Sequence, residues 1–171
     1  MVKRTDLGID LYLMRHGEAG TDATGKRGER TLTISGQREI KQIAEAFSEM
    51  NINFDIIAAS PLKYAGQTAA IISKELKHKD QVETWEELRP DANRKDLYLK
   101  MSKLKGGPSI LLVGHEPFLS NMIIEIISDG DAGRIVLKKG GISRIRIMSF
   151  HPRINGELRW LLSPKIMKKL R

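Results

Sequence analysis

Two short apolar runs constrain this chain more than anything else in it. Ile9-Asp10-Leu11-Tyr12-Leu13-Met14 and Ser109-Ile110-Leu111-Leu112-Val113-Gly114 each read as a buried strand, of the kind found inside an open parallel sheet. Each is followed at once by histidine. The tetrad Arg15-His16-Gly17-Glu18 comes after the first run, and His115 after the second. In such a sheet the carboxyl ends of the strands lie along one edge, and ligands bind in the crevice beyond it. That topology allows His16 and His115 to meet although they are far apart in the chain.

The remaining pattern agrees with a layered α/β domain. Ile40, Ile43, Ala44 and Phe47 fall at helical spacing in a segment ending near Met50. Phe54–Ala59 reads as a strand, Leu62–Leu76 as a helix, and a short extended piece is expected around Val82. Leu97, Met101 and Leu104 suggest another helix, and Phe118–Ile127 a further one. Ile135–Leu137, Ile142–Met148 and Leu158–Leu162 read as strands, with a turn at Lys139-Gly140-Gly141. Alternating strands and helices predict a largely parallel sheet. With no repeat or linker, residues 1–171 are expected to form a single domain.

Composition excludes some chemistry. With no cysteine there is neither a disulfide, a thiolate nucleophile nor a cysteine-bound metal. Lys and Arg number 29 against 21 Asp and Glu, a formal +8, and such a field concentrates anions, phosphorylated ones included. The basic residues are dispersed, apart from the tail Lys165–Arg171, and no nucleic-acid-binding module accompanies them. No apolar stretch approaches the roughly 20 residues that span a bilayer, and the start lacks signal-peptide features. The expectation is a cytoplasmic protein without membrane or nucleic-acid partners.

Histidine is nucleophilic when one ring nitrogen is free, and its unperturbed pKa of about 6.5 leaves much of it neutral at pH 7. A backbone carbonyl accepting from the other nitrogen would fix the tautomer, and Gly17 permits the tight turn this requires. Arg15 offers the fork that binds phosphate oxygens, and its charge disfavours imidazolium at His16. Ser60-Pro61 reads as the end of a strand and a helix cap. His78 and His151 read as surface residues.

With these residues in view, the chain resembles the histidine phosphatase superfamily, phosphoglycerate mutase-like in fold, and within it the SixA-type phosphohistidine phosphatase branch. The resemblance rests on Arg15-His16-Gly17, on Leu32-Thr33-Ile34-Ser35-Gly36, and on Ser60-Pro61 with Ala65-Gly66-Gln67-Thr68. Val113-Gly114-His115-Glu116-Pro117 and the late Trp160 to Pro164 extend it over nearly the whole chain. It implies a three-layer α/β/α sandwich with a mostly parallel central sheet. It implies that His16 is phosphorylated and then hydrolysed, with Arg15 and His115 on the phosphoryl group. Gly17, Arg30 and the position of Tyr64 complete the implied phosphate pocket, and no metal or other cofactor is implied.

Tyr64 departs from the pattern, because the family usually carries a second pocket arginine there. Losing one charge-assisted contact costs on the order of 1.5–3 kcal/mol. Lys63 is adjacent, but one helical step turns it about 100° away. Arg30 and Arg27 are better placed to compensate.

The leaving group selects among substrates. An alkoxide needs a general acid, whereas phosphohistidine leaves as imidazole and needs far less help. Glu87, in Trp85-Glu86-Glu87-Leu88, is the leading candidate acid, and Glu18 a weaker one. The short chain has no large inserted lid, which favours a phosphorylated protein as partner. Two alternatives stand beside this reading. One is a broad phosphomonoesterase acting on small phosphomonoesters with Glu87 as acid. The other is a weakly active or inactive phospholigand-binding protein, because of Tyr64.

Overall fold

The computed structural model describes residues 8–21, 29–128 and 133–170. The first apolar run becomes β1 (Asp10–Arg15), followed by helix α1 (Ile34–Glu49), β2 (Ile56–Ala59) and α2 (Lys63–Glu75). The chain continues through β3 (Glu83–Thr84), a short 3₁₀ turn, α3 (Arg94–Ser102) and β4 (Ser109–Gly114), the second apolar run. It closes with α4 (Phe118–Ile127), the hairpin of β5 (Ile142–Ser149) and β6 (Asn155–Leu162), and α5 (Pro164–Met167).

Among the described residues, six strands form one sheet in the order β3-β2-β4-β1-β5-β6. β1, β2, β3 and β4 pair in parallel, and β5 runs against both β1 and β6. The sheet is therefore mostly parallel, as expected. Alternation along the central strands divides the core into two layers. Leu11, Leu13, Ile110 and Leu112 face α3 and α4, while Tyr12, Met14, Leu111 and Val113 face α1, α2 and α5. Every residue of β4 is buried, which explains its unbroken apolar run. The result is the α/β/α sandwich.

The Leu32–Gly36 block is a helix start. Thr33 caps α1, its Oγ1 accepting from the Gly36 N–H at 2.9 Å. Gly36 has no side chain because the Glu18 carbonyl occupies the place a Cβ would take. Two local expectations fail. Ile135–Leu137 is not a strand: the Leu137 carbonyl accepts from Arg15 Nη1 at 3.2 Å, and Val136 is 71% exposed. Ser60 does not cap α2 either. Its N–H extends the sheet by donating to the Val113 carbonyl at 3.0 Å, and the cap position falls to Leu62.

Candidate active site

Parallel pairing sets the two histidines side by side. Arg15 lies opposite Gly114 in the β1–β4 register, so the next residues are His16 and His115. The His16 N–H donates to the Gly114 carbonyl at 3.1 Å, carrying the ladder one step past the strand end. The two imidazole centroids are 5.4 Å apart. Both side chains are buried, His16 at 7% exposure and His115 at 4%.

His16 Nδ1 lies 2.6 Å from the Gly17 carbonyl. A carbonyl only accepts, so this nitrogen carries the proton and Nε2 keeps its lone pair. Burial has the largest influence on the ring and lowers its pKa to about 4. The Gly17 hydrogen bond opposes that shift, and the charges of Arg15, Lys139 and Arg30 add to it. At neutral pH the ring is uncharged, the form a nucleophile requires.

Around His16 is a cavity of about 140 Å³, lined by Arg15, Ala19, Arg30, Tyr64, Pro90, His115, Glu116 and Lys139. The Tyr64 ring packs edge-on against His16 at 4.4 Å and against His115 at 5.4 Å. The Arg30 guanidinium stacks over the same tyrosine, 5.1 Å from its centroid. Arg15 Nε and Arg30 Nε are buried and lack a hydrogen-bond partner among the described residues. Such donors are costly unless something supplies an acceptor. A tetrahedral oxyanion would supply several. Among the described residues no group of three or more His, Asp or Glu is arranged to hold a metal.

Three candidates fall elsewhere. The Glu87 carboxylate is ion-paired with Lys100 Nζ, at 3.0 and 2.9 Å, and does not line the cavity. Burial tends to raise its pKa, but the Lys100 hydrogen bond and charge outweigh this and hold it below the ordinary value, against service as an acid. Glu18 Oε2 accepts from Ser35 Oγ at 2.9 Å, also outside the cavity. Gly17 is likewise no phosphate ligand: its N–H donates to Thr68 Oγ1 at 3.1 Å and its carbonyl serves His16. Glycine is required there because a Cβ would lie 2.8 Å from Ile40 Cγ1, a packing reason rather than a turn. Arg27 lies outside the described residues. Lys63 is exposed and does not line the cavity.

Two braces and two liners were not anticipated. Gln67 Oε1 accepts from the Leu32 N–H at 2.8 Å, and Thr68 links Gly17 to the Tyr64 carbonyl. The Gln-Thr pair therefore ties α2 to both loops of the site. Glu116 lines the cavity while its Oε1 accepts from the Ser120 N–H at 2.9 Å. Lys139 lines it from the turn before β5. Its sequence signal was the Gly140-Gly141 pair beside it.

Residues 11–90 match the model of the histidine phosphatase superfamily, branch 1. An uncharacterised protein of Picosynechococcus is 32% identical over 164 residues, which is 92% of this chain and 98% of that protein. The phosphohistidine phosphatase SixA of Escherichia coli is 25% identical over 162 residues, 94% of this chain and 97% of that protein. A solved structure of the protein histidine phosphatase SixA complexed with tungstate superposes with a TM-score of 0.83 at 22% identity. It covers 93% of this chain and 99% of that one. The chain belongs to the histidine phosphatase superfamily, and along nearly its whole length it is similar to SixA-type members. It is accordingly a phosphatase, a hydrolase of phosphoryl groups. No helix among the described residues is long and apolar enough to cross a membrane.

Proposed function

We propose that the protein hydrolyses phosphohistidine in a phosphoprotein through a phosphohistidine intermediate on His16. His16 Nε2 attacks phosphorus and forms an N–P bond as the N–P bond to the substrate ring, protonated on its other nitrogen, breaks and releases neutral imidazole. Arg15, Arg30 and His115 bind the oxygens of the transferring group and offset its charge. Water then attacks the phosphorus, its protons passing to phosphate and solvent, and His16 departs as neutral imidazole. It can do so because Nδ1 keeps its proton on the Gly17 carbonyl throughout. The one observation that carries this reading is the neutral, oriented His16 ring beside His115, with buried guanidinium donors around it. The SixA relatives, named for phosphohistidine, agree with the substrate class.

Trapping tests it. After mixing with a labelled phosphohistidine protein and acid-free quenching, label maps to His16 and disappears in His16→Ala. Label on another residue, or turnover without His16, contradicts the mechanism.

One observation favours a second reading. Glu116 is a residue of the cavity wall and the candidate acid there for alkyl or aryl phosphomonoesters, a role that its pair with Lys100 disfavours for Glu87. Under that reading Glu116→Gln abolishes alkyl-ester turnover. Under the phosphohistidine reading the variant retains phosphohistidine hydrolysis within about threefold, because an imidazole leaving group needs little help.

A further inference from the structure

We propose that Lys139 is a phosphate ligand of this site, supplying the positive charge that Tyr64 withdraws from the α2 side of the pocket. The inference rests on the phosphatase reading for the identity of the anion.

Along the sheet edge the site is assembled from β2, β4, β1 and β5 in that order. Tyr64 approaches from the β2 side, where α2 begins, and its ring occupies the space against both histidines. Among the described residues α2 itself contributes no cation to the cavity wall, and the cation on that side is Arg30, stacked over the tyrosine. Lys139 approaches from the other side, on the turn that leads into β5. That turn is fastened to the nucleophile's own strand. The Gly140 N–H donates to the Arg15 carbonyl at 3.0 Å and to the His16 carbonyl at 3.1 Å, and the Arg15 N–H donates to the Gly141 carbonyl at 3.0 Å. Arg15 Nη1 holds the Leu137 carbonyl from the same direction. Gly140 has φ +71°, a left-handed conformation that disfavours side chains, so the geometry needs glycine.

The lysine backbone is thus positioned by the same bonds that set Arg15 and His16. Lys139 is one of the residues that line the cavity, it is solvent-exposed, and among the described residues none of the ion pairs joins it to a carboxylate. Its charge is felt at the His16 ring between those of Arg15 and Arg30. An ammonium carries three donors and acts as a point charge on phosphate oxygens, without the planar fork of arginine. The plainer alternative is a solvated turn lysine that touches nothing.

The test measures binding of orthovanadate, a tetrahedral oxyanion, to the full chain by calorimetry. Lys139→Met weakens it by about ten- to a hundredfold, as loss of one charge-assisted contact requires, and Lys139→Arg stays within about threefold of the parent. In the Lys139→Met background Tyr64→Arg restores most of the loss, whereas alone it changes binding little. Lys139→Met binding within about twofold of the parent overturns the proposal. So does equal weakening by Lys139→Met and Lys139→Arg. Anion binding needs no turnover, so a protein that binds vanadate through Lys139 yet leaves phosphohistidine intact would refute the substrate and not the ligand.

Discussion

Two cavities among the described residues contrast with one another. The larger, about 610 Å³, lies between α3, the end of α4 and the β5–β6 turn, and apolar surface dominates its wall. The smaller, about 140 Å³, holds His16. Size and apolarity favour the first as a binding site, but the polar groups decide otherwise. In the larger cavity Arg94 pairs with Glu125, and the Tyr98 hydroxyl donates to the same carboxylate at 2.5 Å. Burial, reinforced by Glu125, pushes the Tyr98 phenol well above its ordinary value, so it stays a neutral donor. Those groups satisfy one another. In the smaller cavity Arg15 and Arg30 keep buried donors without partners among the described residues, and the central imidazole is held uncharged. Unpaired donors mark the site better than volume does.

The sharpest way to break this contrast is to remove charge from each cavity. Arg15→Met lowers kcat/KM for phosphohistidine by about 10²- to 10³-fold, as loss of a preorganised oxyanion donor does. A fall below tenfold would show that the unpaired guanidinium is idle. Acid sharpens it next. The unfolded chain takes up a proton at His16 near pH 6.5, the folded one only near 4, so between these values the unfolded state binds more protons. Stability therefore falls as pH drops from 6.5 through 4, by on the order of 3 kcal/mol from this residue. Urea titrations of His16→Asn should lack that part of the slope, and an unchanged slope would contradict the burial argument.

Glu125→Gln, in the larger cavity, lowers stability by roughly 1 kcal/mol while kcat/KM stays within about twofold. A large catalytic loss there would overturn the assignment of function to the smaller cavity. The smallest effect belongs to Glu87→Gln. Its half-exposed pair with Lys100 contributes under about 1 kcal/mol, and phosphohistidine turnover stays within about threefold of the parent. A tenfold loss would return Glu87 to the list of acids.

The convergence of His16 and His115 was legible in the sequence because strand ends in a parallel sheet share an edge, and the two apolar runs located those ends. The buried face of α1 was legible from spacing alone. What escaped depended on tertiary hydrogen bonds. Ile135–Leu137 looks like a strand, but the Leu137 carbonyl is taken by Arg15. Glu87 follows the right strand yet pairs with Lys100 one element away. Gly17 was read as a turn and phosphate residue, while Ile40 packing and Thr68 account for it. Lys139 reads as one turn lysine among many basic residues, and only the bonds from Gly140 to Arg15 and His16 bring it to the pocket.

The state of the His16 ring can be observed without substrate. In ¹⁵N-histidine-labelled protein, imidazole nitrogen shifts followed from pH 8 to as far below pH 4 as the fold survives should show His16 protonated on Nδ1 alone, neutral through pH 5, with a midpoint near 4. A midpoint near that of free histidine, or a proton on Nε2 at neutral pH, would remove the nucleophile from the site.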